Sequence, residues 1–262
     1  MIEYLLGLKI TKELYKLFDD DDDNDDFTQD IDDFDEDFDD TDQTYIDDEM
    51  SLTRTDDTEE VKEMSDRKEA IYNADKTECL EIGYFVNSKS EIQIQHMPIT
   101  IKKVPSALPK EITSLKFAFK DNENEFIDGI QYWDTSNVNN MWGLFLGASN
   151  FNQDISMWNT SNVTDMGAMF NGAKSFNQPI GNWNTSNVRD MSYMFFYAKE
   201  FNQNLNSWNT SNVRDMSAMF FEASSFNQDL SKWDISNVKN FNYSNSFTLS
   251  KFKHKKLPKF NK

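Results

Sequence analysis

One pattern returns every 25 residues in the second half of the chain. Tryptophan, phenylalanine and asparagine each recur at this spacing, and Val, Met, Ala and Ile or Leu fill further columns. The tryptophan column consists of Trp133, Trp158, Trp183, Trp208 and Trp233. The other two columns consist of Phe151, Phe176, Phe201 and Phe226, and of Asn152, Asn177, Asn202 and Asn227. This repeat constrains the fold strongly, because every unit must place the same side chains in the same surroundings.

Repeats of about 20–29 residues are typical of solenoids of the leucine-rich-repeat type. One unit cannot bury its apolar residues alone, whereas stacked units cover one another. The sequence therefore predicts an α+β repeat fold, a leucine-rich-repeat-like solenoid of about five to six turns over residues 111–245. We expect the Trp and Phe columns to form its core. The asparagine column is expected to stack as buried scaffold that satisfies backbone groups.

Local spacing suggests what each unit contains. Met166, Met169, Phe170 and Ala173 are spaced i, i+3, i+4, i+7, which predicts two turns of helix, and a short strand is expected in the following Phe-Asn-Gln segment. A degenerate first unit is predicted from about residue 111, with Phe126 in the phenylalanine column.

The segment ahead of the repeats predicts a small β lead-in or cap over residues 71–110. CLEIGYFV and SEIQIQHM alternate apolar and polar residues and are separated by an Asn-Ser-Lys turn, which is typical of a hairpin.

The charge of the chain is unevenly distributed. The chain has 46 acidic and 26 basic residues. Residues 1–18 predict a short amphipathic helix, residues 19–70 an acidic and largely disordered spacer, and residues 246–262 a basic tail. The acidic start argues against a nucleic-acid partner, and without an apolar stretch long enough to span a membrane, membrane contact is expected only through the termini.

The sequence offers few groups for catalysis or metal binding. Cys79 is the one cysteine, and the two histidines, His96 and His254, are isolated from each other. We therefore predict no catalytic residue, no metal, no cofactor and no enzyme activity. Cys79 lies in a strand-like run and is expected to be a buried, neutral thiol.

The candidate binding residues come from a column that varies between units. Arg189, Arg214 and Lys239 follow Thr164 at the 25-residue spacing, and three stacked cations could bind an anionic ligand. The alternative is that the acids next in sequence to Thr164, Arg189 and Arg214, namely Asp165, Asp190 and Asp215, neutralise the cations.

The motif W-x-T-S-N-V-x-x-M-x-x-M-F-x-x-A-x-x-F-N-Q-x-(I/L)-x-x-W resembles the repeat of BspA-like leucine-rich-repeat surface proteins. It is most similar to the 25-residue-repeat domain of unknown function found in mycoplasma lipoproteins, and the resemblance covers about residues 72–241. It implies a right-handed solenoid without a cofactor, placed at the cell surface or outside the cell. It also implies a role in adhesion or host contact through a protein or glycan ligand.

A second function stays open. The chain shows no signal-peptide pattern and no lipobox cysteine near residue 20, so a cytoplasmic location is an alternative expectation. In that case the protein would be an intracellular scaffold or regulator that binds a basic partner through its acidic N-terminal segment.

Overall fold

The computed structural model describes residues 67–239. The predictions of an amphipathic helix over residues 1–18 and of a basic tail over residues 246–262 lie outside the described residues. So do residues 19–66 of the predicted acidic spacer and the end of the predicted repeat region.

The described part opens with five short strands in two antiparallel sheets. One sheet has the order β1-β4-β5, and the other pairs β2 with β3. The strands are β1 (Arg67–Lys68), β2 (Ile71–Tyr72), β3 (Cys79–Glu81), β4 (Tyr84–Val86) and β5 (Ile92–Ile94). Strand β1 thus begins ahead of residue 71, where the lead-in was predicted to start.

The predicted hairpin exists between β4 and β5, in the register Tyr84↔Ile94. The first predicted strand of the hairpin, CLEIGYFV, is divided into β3 and β4, however, because β3 pairs with β2 in the other sheet. The division falls at Gly83, where a side chain would collide with the backbone of Ala70 and the side chain of Gln95.

The predicted α+β leucine-rich-repeat-like solenoid is wrong. The described residues contain no α-helix, and their one helical segment is the 3-10 helix Ile130–Tyr132. Their sheets are the two small antiparallel ones of the lead-in. The rest of the described chain consists of turns, irregular extended segments and isolated bridges.

Consecutive turns replace the predicted helix between Met166 and Ala173. The N–H groups of Met169, Asn171 and Ala173 each donate to the carbonyl three residues earlier. The N–H groups of the even-numbered residues in the same stretch donate instead to the following unit, as Met166 does to the Asp190 carbonyl at 3.0 Å. An α-helix would use all these donors within the segment, so alternation between local and inter-unit acceptors excludes a helix here.

Two positions in each run also have left-handed backbone, whereas an α-helix needs φ near −60°. In one unit these are Ala168, with φ 50°, and Gly172, with φ 73°. The same conformation recurs at equivalent positions in other units: Phe117, Asp121, Gly143, Gly147, Tyr193, Tyr197, Ala218 and Glu222. The apolar spacing of a helix is therefore produced by a different backbone.

The aromatic columns form the core, as predicted. Each of the five repeat tryptophans is 4% exposed, and the phenylalanines from Phe151 to Phe226 are fully buried. Phe170 stacks on Phe176 within its unit at 3.9 Å between ring centroids and on Phe195 of the next unit at 5.7 Å. Each buried phenylalanine contributes roughly 1.5–3 kcal/mol through removal of apolar surface from water.

Every repeat tryptophan also uses its polar atom. The Trp183 Nε1–H donates to the Ile155 carbonyl at 3.3 Å, and the other four indoles donate to the equivalent carbonyl 28 residues earlier. Because a buried indole N–H without an acceptor would destabilise the fold, this bond fixes the orientation of the ring.

The asparagine column links successive units, but it is half-buried or exposed, not buried as predicted. The Asn152 Oδ1 accepts from the Asn177 backbone N–H at 3.0 Å, and the pattern repeats to Asn227. The Gln178 amide donates to the same oxygen at 2.9 Å.

The first unit differs from the prediction by one residue. Phe126 is 50% exposed, and Ile127 is fully buried in its place. The Ile127 N–H donates to the Gln153 side chain at 2.8 Å, which holds the shifted register.

Candidate functional site

The predicted cation column lies along one edge of the repeat units. The Arg189 N–H donates to the Thr164 carbonyl, the Arg214 N–H to the Arg189 carbonyl and the Lys239 N–H to the Arg214 carbonyl, each at 2.8 Å. Backbones paired in this way lie about 4.8 Å apart. The structure therefore brings Arg189, Arg214 and Lys239 together in one row, and all three are exposed.

A second row consists of the asparagines that lie two positions before Thr164 and before each cation. Their amide Nδ2 groups donate to a serine carbonyl of the preceding unit at 2.6–2.7 Å. These residues are Asn162, Asn187, Asn212 and Asn237, and all are exposed. The bonds hold the amides side by side.

The two rows line an open groove of about 660 Å³. Its lining consists of the four asparagines together with Thr164, Arg189, Arg214 and Lys239. No aromatic or aliphatic residue contributes to it. The groove thus has a polar amide side and a positively charged side.

The acidic neighbours do not pair with the cations. The Asp165 Oδ1 accepts from the Gly167 N–H at 2.9 Å, and Asp190 and Asp215 accept from Ser192 and Ser217 in the same way. Within residues 67–239, the ion pairs are confined to β1 and the lead-in, and none involves a groove cation. Adjacent residues in extended chain face opposite sides, which explains the separation.

The surroundings of Asp165 and Asp190 shift the pKa values of their carboxyl groups. Burial, followed by the charge of Asp190, raises the pKa of Asp165 to about 7. Burial likewise raises the pKa of Asp190. Protonation of these carboxyl groups lowers the negative charge behind the groove as the pH falls, so the cations are opposed less strongly there.

Cys79 and His96 do not line the groove. Cys79 is buried in β3, where its thiol donates to the Glu81 carbonyl at 3.2 Å, and burial raises the pKa of the thiol to about 11. It is therefore neutral at pH 7, as predicted. His96 Nε2 lies 3.2 Å from the Lys120 carbonyl.

Between residues 67 and 239, no cluster of three or more His, Cys, Asp or Glu side chains is arranged to hold a metal ion. The same stretch has no helix with the length and apolar character needed to cross a membrane.

The sequence indicated the cations but missed the asparagine row. A signal was present, since residues at i and i+2 of extended chain face the same side. From Asn137 onward, each unit has Asn two positions before the variable position.

The structure and its groove define a repeat protein with a polar, cationic surface site. The chain matches the family described as "Mycoplasma protein of unknown function, DUF285", over residues 113–218 and 182–261. These matches cover more than half of the chain, so the protein belongs to this family. No curated protein and no solved structure matches the chain.

Proposed function

We propose that the protein is a non-enzymatic binding protein of the cell surface or exterior, and that it contacts its partner through the groove. The observation that carries this proposal is the row of three exposed cations that form no ion pair with any carboxylate of residues 67–239. The resemblance to surface proteins supports the location and the adhesive role.

The arrangement favours an anionic partner. Charges of one sign placed in a row add their potentials, and a partner with several anionic groups gains from all of them at once. Because the cations are exposed, salt should weaken the interaction strongly.

Charge reversal in the groove tests the proposal. The full-length chain would be passed over immobilised dextran sulfate at about 0.15 M salt. We expect the Arg189→Glu, Arg214→Glu variant to bind about tenfold more weakly or worse, since two attractions become repulsions.

A matched control carries the same charge change elsewhere. Lys76→Glu, Lys232→Glu replaces two exposed lysines that do not line the groove. This variant should retain wild-type affinity within about twofold. Equal losses in both variants, or no loss in the groove variant, would refute a role for the groove.

A further inference from the structure

The asparagine row has hydrogen-bonding capacity that the fold leaves unused. Each groove asparagine uses one Nδ2 hydrogen for a serine carbonyl, and an amide has a second hydrogen and an acceptor oxygen. Among the described residues, no donor reaches the Oδ1 atoms of Asn162, Asn187, Asn212 and Asn237. The groove therefore offers paired acceptors and donors beside its cations.

We propose that the ligand is an acidic polysaccharide lying along the groove. Its acidic groups face Arg189, Arg214 and Lys239, and its hydroxyl groups exchange hydrogen bonds with the asparagine amides. This inference rests on the proposed function and adds the chemical class of the ligand.

The repetition of the groove favours a polymer of repeated units. Asn187, Asn212 and Asn237 present the same amide at successive steps of about 4.8 Å, and a cation accompanies each. A small anion would use one or two of these steps, whereas a linear polymer would use all of them and gain from multivalency.

The polar lining favours sugar over peptide. Protein interfaces depend on aromatic or aliphatic anchors that fill apolar pockets, and the groove has none. Hydroxyl groups can both donate to and accept from a primary amide. Polyphosphate would use the cations, but it has no donor for the asparagine oxygens.

A comparison of polymers tests the class of ligand. The full-length chain would be titrated with chondroitin sulfate, hyaluronate, poly-glutamate and polyphosphate at equal charge concentration. We expect a polysaccharide to bind at least about tenfold more tightly than poly-glutamate or polyphosphate. Binding of chondroitin sulfate alone would identify sulfate as the acidic group, and binding of both polysaccharides would show that carboxylate suffices.

Removal of two amides tests their role. Asn187→Ala, Asn212→Ala should weaken polysaccharide binding about tenfold and polyphosphate binding less, because polyphosphate can accept from the amides but cannot donate to their oxygens. The control Asn150→Ala, Asn182→Ala removes two exposed amide-to-carbonyl bonds of 2.8 and 2.9 Å outside the groove. It should change neither affinity.

The outcomes separate this inference from the proposed function. One outcome is that poly-glutamate or polyphosphate binds as tightly as either polysaccharide and that Arg189→Glu, Arg214→Glu weakens this binding. It would overturn the proposal of a polysaccharide ligand and leave an anion-binding groove. Absence of binding to every polyanion would overturn both. The ranking of polymers uses the wild-type chain, so it decides the question even if the alanine pair does not fold.

Discussion

Asp165 is a carboxylic acid at a position where the preceding unit has Asn140. Both side chains make the same contact, since the Asn140 Oδ1 accepts from the Trp142 N–H at 2.9 Å and the Asp165 Oδ1 from the Gly167 N–H at 2.9 Å. An amide therefore satisfies this turn as well as a carboxylate does. Ionisation of the acid is additionally unfavourable, because Asp165 is buried and lies near the charge of Asp190.

We predict that Asp165→Asn stabilises the protein in a pH-dependent way. The pKa of Asp165 is raised from 3.8 to about 7. Proton binding to Asp165 therefore stabilises the folded state. This stabilisation is complete when the pH is below the pKa of Asp165 in the unfolded chain, and it is lost as the pH rises through about 7. The variant should gain roughly 1–3 kcal/mol more at about pH 8 than at about pH 5, measured by urea unfolding.

The matched control is Asp154→Asn. Asp154 is exposed and accepts from the Ser156 N–H at 2.9 Å, so it makes the same kind of bond without the burial. A stability gain that does not increase with pH, or an equal gain in the control, would contradict the account of Asp165.

Burial of single residues could be predicted from the repeat alone. Trp183 and Phe176 belong to columns that recur every 25 residues, and a recurring large apolar side chain is buried by the units on both sides. The exposure of Phe126 could not be predicted. The first unit has one more residue between its two phenylalanine positions than the later units have, which allows two registers, and the packing of Ile127 decides between them.

The turn run between Met166 and Ala173 shows the limit of periodicity at the scale of an element. Spacing of i, i+3, i+4, i+7 records which side chains share a face, and a chain of turns with left-handed residues produces the same set. Gly143, Gly147 and Gly172 were a signal for left-handed backbone. The signal is weak in sequence, because Tyr197 and Glu222 adopt the same conformation in later units.

Glu222→Gly should therefore leave the free energy of unfolding unchanged or raise it by up to about 1 kcal/mol. Glu222 has φ 58°, a backbone conformation that costs a non-glycine residue roughly 1–2 kcal/mol. Glycine removes this cost, but it also raises the conformational entropy of the unfolded chain, which offsets part of the stabilisation. Urea unfolding at constant pH measures the difference.

Glu200→Gly is the matched control. Glu200 is exposed and is not among the residues with positive φ, so the variant should lose about 0.5–1 kcal/mol. If both variants lose the same stability, the left-handed position has no special cost and the explanation for the missing helix is weakened.

The groove exists only at the scale of several units. Each unit contributes one asparagine and one variable residue, and the rows form because equivalent backbones are hydrogen-bonded to one another. The cation row could be predicted, since stacking of a 25-residue repeat aligns Arg189, Arg214 and Lys239. The amide row was missed because an asparagine that recurs at the 25-residue spacing is equally explained by a structural hydrogen bond. Each of these asparagines does donate such a bond to a serine carbonyl.

Arginine footprinting tests the central claim directly. The chain has four arginines, and Arg189 and Arg214 lie in the groove, while Arg67 lies in β1 and pairs with Glu69. Phenylglyoxal would modify the full-length protein with and without chondroitin sulfate, and mass spectrometry would measure each site. We predict that the polymer protects Arg189 and Arg214 and leaves the modification of Arg67 unchanged. Equal modification of the groove arginines in the presence and absence of saturating, bound polymer would contradict the claim.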